Sequence, residues 1–391
     1  MKSNTAQLTK KNKALLMLAV AMVIVTLTVH KYINSQHSKQ HSIPTVYALE
    51  HNVEQTATAT IASTNSEQSR RYSYSASIGK QHERSNQEIK RQAIERPASD
   101  VSNYDESALV VSEDGPVVSV YISSEKRVEK LPIERYVLSV ALAELPGSFE
   151  LEAIKAQMIA IRTYITRRLL QASEQVEYLV TDTTRDQVYL KNDKVQQYAQ
   201  EYPEYYQKFV QAVKETEGWI ISYQDEPIDA VFFSTSNGYT ENADQVWGQQ
   251  VAYLQSVASP WDAELSPNFE TEFSYSFEEL YERLNLKNSR RNGKVSINHV
   301  SRNESGRIES LDVNGASFTG KELREKLELS STDMQWAIDH KNKRITFVCF
   351  GYGHGVGLSQ WGANGMAQQG YLANEIIEHY YTDIELEQLN L

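Results

Sequence analysis

The chain has 391 residues, 40% hydrophobic and 23% charged, enough to bury at least one full-sized core and to exclude a wholly disordered protein. Its formal net charge of −12 argues against electrostatic binding to nucleic acid, and no nucleic-acid partner is expected. A single cysteine, Cys349, excludes an intrachain disulfide framework, and the apolar run around it marks it as a core residue.

Lys10, Lys11 and Lys13 precede an apolar run from Ala14 to Val29 that Tyr32 and Ile33 extend. At about 1.5 Å per residue this just spans a hydrocarbon core of ~30 Å. The basic flank keeps residues 1–13 cytoplasmic, makes 14–33 a transmembrane signal-anchor and sends the rest of the chain outside. A cleaved signal peptide is the competing reading, but Thr28-Val-His-Lys-Tyr32 lacks a small-x-small site. Residues 34–103, rich in Ser, Gln, Thr and Asn with no sustained apolar period, read as a flexible tether.

Residues 104–391 read as an α+β domain. Runs at 108–111 and 117–122, separated by Glu113-Asp-Gly-Pro116, predict a hairpin. A helix is expected from Leu131 to about Glu144, ended by Leu145-Pro-Gly147, and another from about Glu150 to Leu170. In the second, Leu151, Ile154, Met158, Ile161, Ile165 and Leu169 make a core-facing stripe. Lys155 and Arg162, seven apart, share a face to within ~20°. Further on come a buried strand at 228–233, a helix at 277–286, a strand at 308–313, a helix at 320–327, a strand at 345–350 and a helix at 374–381. The order is mixed rather than alternating, and no internal repeat is visible. Between strand and last helix lies Gly351-Tyr-Gly-His-Gly-Val-Gly-Leu-Ser-Gln-Trp-Gly-Ala-Asn-Gly-Met-Ala367, whose glycines point to a site-forming loop.

Four blocks carry a resemblance to the stage II sporulation protein D family, which includes amidase-enhancer proteins of the bacterial cell wall: Glu134-Arg-Tyr-Val-Leu-Ser-Val-Ala-Leu-Ala-Glu-Leu-Pro146, Lys155-Ala-Gln-Met-Ile-Ala-Ile-Arg-Thr-Tyr164, Ser234-Thr-Ser-Asn-Gly-Tyr-Thr-Glu-Asn-Ala-Asp-Gln-Val-Trp-Gly248 and Gly353-His-Gly-Val-Gly-Leu-Ser-Gln-Trp-Gly-Ala363. The resemblance runs over nearly all of Ser107 to Glu385. It implies a lytic transglycosylase acting on peptidoglycan glycan strands already stripped of stem peptides, with an inserted subdomain at about 268–345. It places the catalytic acid on Glu144 and the substrate groove on Lys155, Gln157, Arg162, Gln187, Tyr189, Ser234, Thr235, Ser236, His354, Ser359 and Gln360. It also implies a cell-wall amidase partner resembling stage II sporulation protein P, and other membrane proteins of the engulfment complex. Asn237 and Lys191 stand where the family commonly has glycine. Some relatives hold zinc with a histidine and cysteines; this chain has no cysteine near the Asp182 to Tyr189 block, so no metal and no cofactor are expected.

The chemistry is consistent with one carboxylate. Hydrolysis of a glycosidic bond normally needs two, whereas a lytic transglycosylase uses the sugar's own C6 hydroxyl as nucleophile. Glu144 then protonates the leaving oxygen and recovers a proton from that hydroxyl, which calls for a raised pKa from Leu142, Leu145 and Phe149. Arg162 is assigned to the lactyl carboxylate that peptide removal exposes. Trp247 and Trp361 are candidates for stacking on sugars. Glu241 and Asp244 are the possible second carboxylates if the reaction is hydrolytic. A serine hydrolase built on Ser236 and His354 lacks a G-x-S-x-G elbow, and a zinc hydrolase lacks H-E-x-x-H. The remaining alternative is a non-catalytic glycan-binding activator of an amidase.

Overall fold

The computed structural model describes residues 114–173, 176–286 and 293–389. The expected tail, anchor, tether and strand at 108–111 lie outside these residues. Among the described residues no helix is long and apolar enough to cross a membrane.

The first hairpin differs from expectation. Strand β1 (Val117–Ile122) pairs antiparallel with β2 (Arg127–Pro132), Val117 opposite Pro132, around a turn in which Lys126 takes φ 52°. The downstream strand escaped detection because Leu131 is its only fully buried residue and charged side chains fill most of the others. Helix α1 (Ile133–Glu144) therefore starts two residues later than predicted, from Pro132, whose ring fixes φ at −57°. It ends where Leu145, preceding Pro146, turns extended at φ −112° and ψ 141°.

Helix α2 (Leu151–Gln171), about 31 Å long at 1.5 Å per residue, is the axis of the domain. Every residue from Ala156 to Thr166 is buried, not one stripe. A helix buried on all sides is packed on all sides. Its neighbours include α1, then α4 (Pro203–Glu215) reached through α3 (Asn192–Glu201), β4 (Trp219–Tyr223) and two helices near the C-terminus. The short strand β3 (Val180–Thr181) runs parallel to β1, and β5 (Glu226–Pro227) folds back on β4. Of the strand expected at 228–233, only β6 (Phe232–Phe233) is regular. Two short helices follow, α5 (Ala243–Trp247) and α6 (Asp262–Leu265).

A lobe then leaves and rejoins the chain. It comprises β7 (Glu270–Ser276), α7 (Phe277–Arg283), β8 (Ile297–Arg302), β9 (Ile308–Val313), β10 (Ala316–Thr319), α8 (Gly320–Leu327), β11 (Met334–Asp339) and β12 (Arg344–Phe350). Its sheets are β10-β9-β8 and β11-β12-β7. Ser276 and Thr319 each open a helix with a capping box, accepting from Glu279 and Glu322 main-chain N–H groups. The lobe has its own apolar cluster, including Leu280, Leu311, Leu323, Phe347 and the fully buried Cys349. The two ends of the excursion are tied together where Gly351 N–H donates to Phe269 O at 2.7 Å.

The chain returns through the glycine-rich segment to β13 (Leu358–Ser359), which pairs parallel with β6, then α9 (Gln360–Gln368), α10 (Ala373–Tyr380) and β14 (Glu385–Gln388), which completes the sheet with β4 and β5. Gly357 shows why glycine is needed there. It holds φ at 77°, and a Cβ would lie 2.2 Å from Val231 O. Only a residue without a side chain lets the two main chains approach this closely.

Candidate active site

Glu144 is the last residue of α1, and Leu142, Leu145 and Phe149 around it in sequence are each 1% exposed. Its carboxylate accepts from Val188 N–H at 3.2 Å through Oε1 and from the Gln360 amide at 3.5 Å through Oε2. Burial pushes its pKa above the ordinary carboxylate range, and these two donors only partly offset that. Among the described residues, no second carboxylate shifts this pKa. Register explains why Gln360 is present: Ser359 lies opposite Phe233 in the β6/β13 pair, so the next residues, Ser234 and Gln360, emerge side by side. Trp361 N–H donates to Ser234 O at 3.1 Å, and the Trp361 indole meets Phe149 edge-on at 4.9 Å.

Gln187 and Tyr189 are tied to α1 through Tyr136. Tyr136 donates its hydroxyl to Gln187 Oε1 at 3.0 Å and stacks on Tyr189, whose hydroxyl donates to Glu129. Gln187 and Tyr189 are buried, and together they hold the Val188 amide against Glu144. Their side chains support the site from behind instead of lining it. Lys191, at φ −62°, does not need glycine's freedom and pairs with Glu125 at 2.7 Å.

Several expected groove residues belong elsewhere. Arg162 is fully buried, and its guanidinium forks onto Glu134 with Nε–Oε1 and Nη2–Oε2 both at 2.7 Å while Nη1 donates to Trp219 O. It cannot reach a glycan carboxylate. Lys155 does share its face, as the seven-residue spacing requires, but that face meets protein. Its ammonium pairs with Glu152 at 2.8 Å and with Glu215, beside a small pocket walled by Ile159, Trp219 and Ala373. Gln157 is 1% exposed and neither end of its amide bonds to a described residue.

Ser236 and Ser359 are both fully buried on one carboxylate that sequence reasoning missed. Asp262 accepts from Ser236 N–H at 2.8 Å and Ser359 Oγ at 2.5 Å through Oδ1, and from Ser236 Oγ and Ser259 Oγ through Oδ2. Thr235 is buried too, its hydroxyl shared with Ser266 at 2.7 Å. These hydroxyls pin β6, α6 and the start of α9 together. Asp262→Ala should therefore cost about 2–4 kcal/mol by orphaning buried donors, seen as a lower urea midpoint with an unchanged slope.

His354 is likewise committed. Its Nε2–H donates to Phe232 O at 3.0 Å and its Nδ1 accepts from Val356 N–H at 3.1 Å, which leaves no ring nitrogen for a substrate. Glu241, a candidate second carboxylate, is 3% exposed and accepts from Asn303 and Ser305 at 2.7 Å each, with Arg307 at 3.6 Å. Asn237 does not use a left-handed backbone; its amide bridges to Ser305 O and Asp333 of the lobe. What bonds to Glu144 is thus Gln360 and the Val188 amide, with Ser234 and Trp361 adjoining Gln360. Because Gln360 donates to the ionised form, Gln360→Leu should raise the Glu144 pKa further and move the alkaline limb of a pH–rate profile upward.

A partly buried carboxyl at the end of a helix, its pKa raised by desolvation and with amide donors beside it, is suited to acid–base chemistry. Residues 121–223 match the family described as Stage II sporulation protein. The chain is 37% identical over 281 residues to Stage II sporulation protein D of Bacillus amyloliquefaciens, covering 70% of this chain and 80% of that protein. It is 37% identical over 277 residues to the protein of the same name in Bacillus subtilis (strain 168), covering 69% and 79%. Against the Amidase enhancer of Bacillus subtilis (strain 168) it is 26% identical over 287 residues, covering 61% of this chain and 38% of that protein. The chain belongs to the stage II sporulation protein D family, a family of sporulation proteins.

Proposed function

We propose that this protein is a lytic transglycosylase that cuts the glycan strands of peptidoglycan during sporulation, leaving 1,6-anhydro-muramyl ends. The observation that carries the reading is Glu144 itself, a desolvated carboxyl with a raised pKa on which, among the described residues, no second carboxylate acts. The acid form donates a proton to the leaving glycosidic oxygen as the C1–O bond breaks. The resulting carboxylate takes the proton of the C6 hydroxyl as that oxygen closes on C1. Hydrolysis would need a water-activating partner, and Glu241 is bound up with Arg307, Asn303 and Ser305. In this reading the N-terminal segment anchors the domain outside the membrane, and the partners are a cell-wall amidase and other membrane proteins of the engulfment complex.

The test is to incubate the chain with peptide-free and peptide-bearing glycan strands and resolve the products by mass spectrometry. Anhydro-muramyl ends support the reading, and new reducing ends would replace it with hydrolysis. The second reading, a glycan-binding activator of an amidase, draws on the name of the Amidase enhancer relative. It takes over if glycan binds but stays intact while a cell-wall amidase is stimulated.

A further inference from the structure

The junction between the lobe and the rest of the domain carries groups that the site at Glu144 does not use. Trp247, the last residue of α5, is 44% exposed, and Tyr352 is 45% exposed. Trp247 is nevertheless held in place. Its ring centroid lies 5.5 Å from that of His354, which lies 5.7 Å from Phe233. His354 is itself fixed by its two main-chain hydrogen bonds, to Phe232 and Val356. Burial, with the positive charges of Arg324 and Arg307, drives its pKa down to about 4. The imidazole is neutral at physiological pH and serves as a rigid backing for an indole that remains open to solvent.

Arg324 of α8 lies close enough to His354 and Tyr352 for its charge to interact with both. One turn earlier on the same helix face, Lys321 reaches Val246 O at 3.5 Å, the residue next to Trp247. Arg324 donates Nε–H to Leu329 O at 3.2 Å; the neighbouring Glu325 acts on its charge, but among the described residues no carboxylate forms an ion pair with it, whereas Arg162 and Arg307 each hold one. A partly desolvated guanidinium with unpaired Nη groups is suited to a carboxylate from outside.

The patch is continuous with the candidate active site. His354 bonds to Phe232 at the start of β6, Tyr352 exchanges main-chain hydrogen bonds with Thr235 just past its end, and Ser234 between them is next to Gln360. Two residues of strand separate Phe232 from Ser234, about 7 Å.

We propose that Trp247, Tyr352 and Arg324 form a second glycan subsite, which takes a carboxylate-bearing, muramic-type sugar. The inference rests on the glycan reading above. The indole and phenol pack on the apolar face of the sugar, and the guanidinium grips the lactyl carboxylate in a bidentate pair. A stem peptide masks that carboxylate as an amide, so Arg324 supplies a physical reason to prefer peptide-free strands, the role that the buried Arg162 cannot fill.

The test uses the full chain carrying Glu144→Gln, so that nothing is turned over, and titrates it calorimetrically with peptide-free muramyl glycan and with neutral chitooligosaccharide of the same length. Adding Arg324→Gln should weaken muramyl-glycan binding roughly tenfold, the worth of one charge-assisted contact, and leave chitooligosaccharide binding unchanged. Retained chitooligosaccharide affinity also shows that this variant is folded. Adding Trp247→Ala should weaken both ligands. Muramyl-glycan binding that is unaffected by either substitution overturns the subsite and leaves the glycan reading standing. A Glu144→Gln chain that binds neither ligand overturns both.

Discussion

Glu144→Gln will lower the rate of glycan cleavage by roughly 10²- to 10⁴-fold, the range for removing a general acid–base, while glycan affinity is kept. Gln matches the shape of Glu and can still receive the Val188 N–H, so the loss reports proton transfer rather than collapse of the site. The pH dependence has a definite sign. The carboxyl must be protonated to start the reaction, so activity falls as pH rises through the raised Glu144 pKa. The same shift predicts a stability effect of opposite benefit. A carboxyl whose folded pKa lies above its unfolded value opposes folding once it ionises. The opposition begins as pH rises past the unfolded value, about 4.3, and is complete above the folded one. Glu144→Gln should raise the melting temperature at neutral pH and leave it unchanged well below the unfolded value. A Glu144→Gln protein that cleaves glycan at the parental rate, or that melts lower at neutral pH, would remove Glu144 from the role of acid.

How much of this was legible in the sequence depended on whether periodicity or pairing carried the information. The long helix at 151–171, the capping-box helix at 320–327 and the strand at 344–350 follow from local pattern and are where the pattern puts them. Strand β2 and helices α3 and α4 were missed, because charged residues on half-exposed elements hide the repeat; α3 has only Val195 and Tyr198 buried. The candidate site joins two residues expected there, Glu144 and Gln360, whose side chains meet at 3.5 Å, with Ser234 set beside Gln360 by the β6/β13 register. It was misread wherever a polar side chain could serve either a ligand or the fold. Ser236 and Ser359 carry hydroxyls suited to a sugar, but the partner they use, Asp262, lies outside the four blocks that carry the family resemblance. Sequence spacing puts Lys155 and Arg162 on one helix face. It cannot say that the face is covered by β4 and α4.

Arg162 gives the largest stability prediction for the same reason. Arg162→Gln should destabilise the domain by about 3–5 kcal/mol, because it leaves Glu134 buried and unpaired. Glu134 is 1% exposed, and both of its oxygens depend on the guanidinium, with only a long 3.4 Å contact from Gly218 N–H besides. Arg162→Lys should recover little, since a single ammonium cannot replace the two-point fork or the bond to Trp219 O. The double substitution Glu134→Leu with Arg162→Met, which removes both charges and restores apolar volume, should regain most of the loss. Urea denaturation reads each as a shift of midpoint at constant slope. The buried-pair account requires that the single variants fall far below the double. If Arg162→Gln instead keeps the parental midpoint and loses activity only on peptide-free glycan, the guanidinium is a substrate contact after all. Carboxylate recognition would then return from Arg324 to α2.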